Sequence, residues 1–387
     1  MKSRLIIAAL LFAACSREES REDTATVAER VSTVAERISF RGGQPDDPAA
    51  RERERFDSRW RKLTTFRRQQ EAARASQRPT PAQNVRFVRG AKETLEGMTP
   101  QAINAAPVSL PITGDVRGPS VLKTQVYLDR LNFSPGVIDG RWGKNTEIAL
   151  WWYQRSRGMQ PTGEVDEQTF RALAGDAQTA PAVTTYNITS EDVKGPFVNV
   201  PEDMYEKAEL ECLCYESAAE KLAEKFHTTR EFLESLNPNV DFGALKAGAS
   251  IAVPNVDRPA ASNPAPISRI VVSLQGNTFN AFDSAGNLVY HAPVTVGSEY
   301  DPSPTETLKI TAIAHDPHFY YQPTLFHEVP DTEPEATLQP GPNSPVGVVW
   351  MQLSKPHYGI HGTSDPSSIG YTSSSICIVP VTRMCCS

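Results

Sequence analysis

Breaker residues constrain this chain most. Of its 387 residues, 31 are proline and 23 glycine. Many of them cluster between stretches with regular apolar spacing: near Pro79, through an Ala/Thr/Pro-rich stretch after residue 174, and again at 257–266. Proline fixes φ and removes a backbone donor, so neither a helix nor a central strand runs through such stretches. The chain therefore reads as modules on linkers rather than one large core. The divisions expected are a targeting segment at 1–15, a low-complexity tether at 16–107, a helical unit at 119–174, a linker at 175–204, a strand–helix–helix–strand unit at 205–256, a linker at 257–266 and a strand-rich unit at 267–387.

The N-terminus reads as an export signal. Lys2 and Arg4 precede a short apolar run, Leu5 to Phe12, and then Ala13-Ala14-Cys15. The run is too short to span a bilayer. The following tether is charge-rich, as in Arg51-Glu52-Arg53-Glu54-Arg55, and lacks a sustained apolar period. A net charge of −7 argues against general nucleic-acid binding.

In the helical unit Leu122, Val126, Leu128 and Leu131 recur at helical spacing. A turn-rich run, Pro135 to Gly143, separates them from a second helix carrying Ala149, Leu150, Tyr153 and Gln154, with Thr146 as its expected cap. Asp166 opens a third helix with Thr169, Phe170 and Leu173. Trp151, Trp152 and Tyr153 read partly as core; a helix end lined by such groups also suits a glycan or a peptide. In the next unit Glu211 to Tyr215 reads as a strand, and Ala219, Leu222, Ala223 and Phe226 share one helical face. Thr228 or Thr229 caps a second helix, and Ile251 and Val253 lie in a closing strand. Cys212 and Cys214 would point the same way on a strand; a bridge between them would strain it, so both read as buried small side chains. From Ile267 onward, near-alternating apolar residues with Gly/Asn/Asp turns predict strands.

The chemistry concentrates at the end of that unit. His361 closes the apolar run Tyr358-Gly359-Ile360, and Cys377 follows sixteen positions later, after Ser373-Ser374-Ser375. An imidazole that takes a thiol proton creates the thiolate needed for acyl transfer. The other reading of these residues is a metal site: His357 and His361 with Cys377, Cys385 or Cys386 form a soft N/S set suited to zinc. It lacks a metalloprotease pattern and a paired Cys-x-x-Cys.

Tyr358-Gly-Ile-His361-Gly362-Thr363, then Ser374-x-x-Cys377-Ile378, resembles the active-site signature of bacterial L,D-transpeptidases of the ErfK/YbiS/YcfS/YnhG type. The likeness extends over about 267–380 and implies a mainly β catalytic domain acting on peptidoglycan stem peptides. It implies Cys377 as nucleophile, His361 as proton donor and acceptor, the Gly362 carbonyl orienting the imidazole, and Tyr358 and Ser374 beside the substrate, with no metal and no cofactor. Asp139-Gly140, Trp142-Gly143, Thr146, Tyr153-Gln154, Gly163, Asp166 and Thr169 resemble a three-helix peptidoglycan-binding domain. Residues 205–256 resemble a βααβ LysM-like module that binds glycan. The N-terminus resembles a lipoprotein signal cleaved before Cys15, an ordinary secretory signal being the alternative. Together these imply a multidomain protein lipid-anchored in the periplasm, on a membrane leaflet the sequence does not specify. Its partner would be peptidoglycan, with a wall-linked protein as a further acceptor.

The chain departs from that family beside the nucleophile. Ile376 stands where the family has Gly, Val379 where Arg is usual, and Glu306 where Gly is common. With a suitable choice of codons, a single inserted nucleotide after the Ile378 codon gives an arginine and an acid-rich continuation. The expectation is a shifted, incomplete C-terminus and an impaired enzyme, which makes a catalytically weak wall-binding lipoprotein the second functional reading.

Overall fold

The computed structural model describes residues 84–257, 266–297, 302–326 and 329–372, together with Ala82 and the backbone of Arg37–Arg41. Cys15, Ser374, Ile376, Cys377, Val379, Cys385 and Cys386 lie outside the described residues, as do the targeting segment and most of 257–266.

Within the expected tether, β1 (Arg37–Arg41) is a strand, and residues 84–107 are folded rather than low-complexity. Here β2 (Phe87–Arg89) precedes α1 (Pro100–Ala105), whose N-cap Thr99 accepts from the Ala102 N–H at 3.2 Å. β3 (Val108–Leu110) then pairs in parallel with β2. Ile103 is fully buried, and Val85, Phe87, Leu95 and Met98 pack on the helical core that follows. Their spacing has no period, because each residue finds its contact in the neighbouring helices rather than along its own element.

Three helices build that core: α2 (Pro119–Arg130), α3 (Lys144–Ser156) and α4 (Glu167–Asp176). Leu122, Val126, Leu150, Tyr153, Phe170 and Leu173 are all essentially inaccessible. The cap of α3 is Gly143, not Thr146, which is buried one turn inside. Asp166 caps α4, accepting from the Thr169 N–H at 2.7 Å. Two buried glutamines pin the turns between helices. Gln125 accepts from Asp139 N and Gly140 N, and Gln154 accepts from Thr162 N and Gly163 N. Gly140 and Gly163 carry positive φ, which those tight turns require.

The next unit opens earlier than its sequence pattern suggests. β4 (Val183–Asn187) lies in the stretch expected as linker and pairs antiparallel with β5, which follows two helices. Between β4 and those helices the chain makes an excursion that includes α5 (Met204–Ala208). α6 (Ala218–Lys225) is capped by Ser217 and α7 (Arg230–Leu236) by Thr229, while Thr228 donates instead to the Ile138 carbonyl. β5 (Ser250–Pro254) closes the unit over Leu222, Leu233, Ile251 and Val253.

Residues 211–215 are not a strand. Cys212 and Cys214 form a disulfide, and both are half-buried. The backbone there is used elsewhere: Leu213 N donates to the Pro340 carbonyl and Leu213 O accepts from Asn343 N. Leu213 is fully buried against Tyr321 and Leu338. Burying a leucine side chain contributes about 2 kcal/mol, which a solvated hairpin would not recover.

The strand-rich unit opens with β6 (Ile267–Ser273), β7 (Thr278–Asp283) and β8 (Leu288–Pro293), followed by β9 (Thr307–Leu308) and β10 (Ile310–His315). β11 (Phe319–Tyr321) and β12 (Ala336–Leu338) form a separate two-stranded ribbon. β13 (Val349–Leu353) and β14 (Gly359–His361) complete it. One sheet runs β8-β7-β6-β1-β9 and a second β10-β13-β14. Their shared core holds Val272, Ala281, Val294, Met351, Leu353 and Ile360.

The units are docked. Ser134 N donates to the His291 carbonyl and His291 N to the Asn132 carbonyl, which extends β8 into the helical unit. Trp152 stacks on His291 at 6.0 Å. Asp129 pairs with His227 at 3.0 Å across the helical and βααβ units. Among the described residues no helix is long and apolar enough to cross a membrane.

Candidate active site

β14 delivers His361 to the core. Its three residues are buried and pair with β13, Trp350 lying opposite His361. Gly359 is required here, because a Cβ on it would fall 2.3 Å from the Trp350 ring. The indole stacks on the imidazole with centroids 5.3 Å apart and planes 15° from parallel. Stacking and strand pairing leave the imidazole little freedom to turn.

The Gly362 carbonyl lies 2.6 Å from His361 Nδ1. A carbonyl only accepts, so Nδ1 carries the proton and Nε2 presents its lone pair. Nε2 is buried and has no hydrogen-bond partner among the described residues. Burial pulls the imidazole pKa down to about 4, with the Gly362 hydrogen bond acting in the opposite sense. At neutral pH the ring is therefore an uncharged base with one nitrogen oriented and the other available.

The Gly362 carbonyl is itself held. Gly362 N donates to the Val349 carbonyl. Gly347, at φ +60, packs its Cα against Gly362; a Cβ there would lie 2.8 Å from Gly362 Cα and Thr363 N. The turn that places Gly347 closes through its N–H to the Ser344 carbonyl at 2.8 Å. The run Pro340 to Gly347 is rich in proline and glycine, but nothing in its spacing reveals that Gly347 supports the histidine loop. Trp350 alternates with buried Val349 and Met351 as an ordinary strand residue does, so its stacking role is equally hidden.

Tyr358 is half-buried at the end of the turn, immediately before β14, with Lys355 Nζ 4.7 Å over its ring. His357 occupies the same hairpin turn at φ +63. No three His, Cys, Asp or Glu side chains are grouped to hold a metal ion among the described residues. Glu306 pairs with Lys355 at 3.2 Å, so its side chain is accommodated at the surface.

Beyond His361 the chain is fastened on its way to Cys377. Ile369 is buried and its carbonyl accepts from Asn145 Nδ2 at 2.9 Å. Gly370 N donates to Thr295 Oγ1, and Gly370 O accepts from Asn277 Nδ2. Residues 373–387, with Cys377 and Ser374, are outside the described part.

A buried, oriented, neutral histidine at the end of a β strand, on a two-sheet domain docked to a three-helix unit, is the arrangement of a positioned general base. Residues 267–381 match the L,D-transpeptidase catalytic domain family, and residues 117–173 match the peptidoglycan binding domain family. The L,D-transpeptidase YkuD of Bacillus licheniformis is 35% identical over 159 residues, 41% of this chain and 78% of that protein. Its namesake in Bacillus subtilis is 31% identical over 158 residues, 41% and 77% of the respective chains. An L,D-transpeptidase encoded in the ATP synthase subunits region of Fuscovulum blasticum is 30% identical over 156 residues, 35% of this chain and 80% of that one. The chain belongs to the YkuD family of L,D-transpeptidases.

Proposed function

We propose that the chain cross-links peptidoglycan stem peptides through a thioester on Cys377, with His361 as the base. The observation that carries this reading is the hydrogen bond from His361 Nδ1 to Gly362, which leaves Nε2 buried and free to accept a proton. Nε2 takes the Cys377 thiol proton, and the thiolate attacks the donor carbonyl at the diaminopimelate–D-alanine bond. Collapse of the tetrahedral adduct breaks the C–N bond, and D-alanine leaves with the proton held on His361. An acceptor amine then attacks the thioester carbon, His361 takes its proton, and the Cys377 thiolate is expelled. Backbone N–H groups at Ile376 and Cys377 would stabilise the oxyanion, each worth about 3 kcal/mol. Tyr358 and Ser374 stand beside the substrate in this reading.

The helical unit would hold the enzyme on the wall. The βααβ order of residues 183–254 supports a LysM-like glycan-binding role for the second unit. Export by the N-terminal signal, lipidation at Cys15 and residence in the periplasm complete the proposal, with a second stem peptide or a wall-linked protein as acceptor.

One observation favours a second reading. Ile376 puts a β-branched residue next to the nucleophile where the family has glycine, which restricts the backbone that must present an oxyanion donor. On that reading the chain is a wall-binding protein with impaired catalysis. Acylation by a carbapenem, followed by intact mass, separates the two. The catalytic reading requires an adduct on the parent chain and none on Cys377→Ala or His361→Ala. A parent chain without an adduct leaves the binding-protein reading.

A further inference from the structure

The helical unit and the catalytic unit meet over a cleft of about 170 Å³ that the chemistry above does not use. Asp139, Arg141 and Trp142 line it from the turn before α3, and Pro366, Ser367 and Tyr371 line it from the segment after His361. A cleft at a domain junction is a usual setting of a ligand site, and this one has room for one end of a ligand rather than a whole one.

The two walls are built against each other. Asn145 Nδ2 donates to the Ile369 carbonyl at 2.9 Å, and the Asn145 backbone N–H donates to the Tyr371 hydroxyl. A Cβ on Gly143 would come 2.9 Å from that hydroxyl, and one on Gly370, at φ +83, 2.6 Å from Asn145 Oδ1. The phenol is thus anchored at its tip while Tyr371 remains 60% exposed. Neither unit supplies this cavity alone.

The groups left open define what fits. Gln125 spends its amide on Asp139, Gly140 and Arg141, and Ser367 donates its hydroxyl to Asp365. Among the described residues Asp139 accepts through Oδ1, from Gln125 and from the Arg141 N–H. The Arg141 side chain is exposed and makes no ion pair among the described residues. What remains is one carboxylate oxygen, one guanidinium and the aromatic rings of Trp142 and Tyr371. An uncharged sugar would leave both charges unmatched. A peptide bearing a carboxylate and an ammonium on short aliphatic arms matches both, the carboxylate on the Arg141 fork and the ammonium on Asp139.

We propose that this cleft is a stem-peptide subsite shared by the two units, which grips the charged end of one peptide of the wall beside the reacting one. The proposal rests on the reading of peptidoglycan as substrate. Pro366 is five positions after His361 and Tyr371 six before Cys377, so a peptide bound here touches residues that follow the proposed base and precede the proposed nucleophile in the chain. Binding energy from a remote part of the substrate then positions the reacting part.

The test is calorimetric titration of the full-length Cys377→Ala chain with L-alanyl-γ-D-glutamyl-meso-diaminopimelyl-D-alanine, so that no turnover intervenes. Adding Arg141→Ala, or separately Tyr371→Ala, should weaken affinity at least tenfold, and Arg141→Lys should recover part of the loss. Arg141 is exposed, so its replacement spares the fold, which near-UV circular dichroism checks. Affinity unchanged within twofold in both variants overturns the proposal. So does tetra-N-acetylchitotetraose binding with the same Arg141 dependence while the peptide fails to bind. Carbapenem acylation of the parent chain is read separately. An unacylated chain that keeps Arg141-dependent peptide affinity supports the subsite and removes the catalytic reading. An acylated chain with insensitive affinity does the reverse.

Discussion

His361 illustrates how burial tunes a base. The ring is enclosed by strand pairing and the Trp350 indole, so its charged form is disfavoured and its pKa falls to about 4. The neutral form needed to take a thiol proton therefore persists well below the ordinary histidine range. The acid limb of the acylation-rate profile should lie near pH 4; a limb at pH 6.5 would show that the ring is solvated in the reacting state. Replacing Trp350 with Ala opens one face of the ring and should move that limb upward. Ile376→Gly should raise the carbapenem acylation rate by about tenfold or more, since small misplacements of an oxyanion donor are costly. The sequence shows His361 at the end of an apolar run, while the role of the Gly362 carbonyl is one that only the resemblance to L,D-transpeptidases implies. The role of Trp350 was not legible, because stacking across strands depends on register, and register is absent from local spacing.

At the scale of elements, glycine contacts carry the support. Gly347→Ala drives a Cβ into Gly362 and demands a left-handed residue at φ +60. We expect a loss of stability of roughly 1–3 kcal/mol and a disproportionate loss of acylation, because the displaced Gly362 carbonyl orients Nδ1. Equal thermal denaturation and equal acylation in the variant would remove Gly347 from the account. The helices of residues 119–176 were readable because their apolar residues keep a 3.6 period and Asp166 sits at a cap. β4 was not: Val183-Thr-Thr-Tyr-Asn187 lies among prolines and alanines and buries little besides Val183. The stretch at Cys212–Cys214 misleads for the opposite reason. It has the composition of a strand, but its backbone partners lie more than 120 residues away at Pro340 and Asn343.

For the whole molecule, modules on linkers describes the sequence better than the structure. The breakers suggest linkers, yet β4 lies inside one of them, and the docking between units rests on single residues such as Trp152, Asp129 and Leu213 that leave no pattern. The catalytic unit contributes part of its buried surface only in company: His291 is covered by Trp152, and Tyr321 and Leu338 by Leu213. A chain cut to residues 266–387 loses both the docked units and β1, and should melt at a lower temperature than the full protein; an unchanged melting temperature would mean that neither adds stability. Two histidines buried neutral set a pH dependence. His291 and His361 are held down to about 3 and about 4, chiefly by burial. The unfolded chain binds those protons from pH 6.5 downward while the folded chain does not. Their stabilisation is complete above pH 6.5 and is lost as pH falls toward 4 and then 3. Denaturant midpoints measured from pH 7 to pH 4 should decline accordingly.

The central claim is that Cys377 and His361 form one acyl-transfer unit. The most direct measurement is mass analysis of disaccharide-tetrapeptide incubated with the purified full-length chain. The account predicts released D-alanine together with a dimer linked between two diaminopimelate residues, raised by Ile376→Gly and absent with Cys377→Ala or His361→Ala. Dimer formation that survives either of those two substitutions, or its absence even with Ile376→Gly, would contradict it.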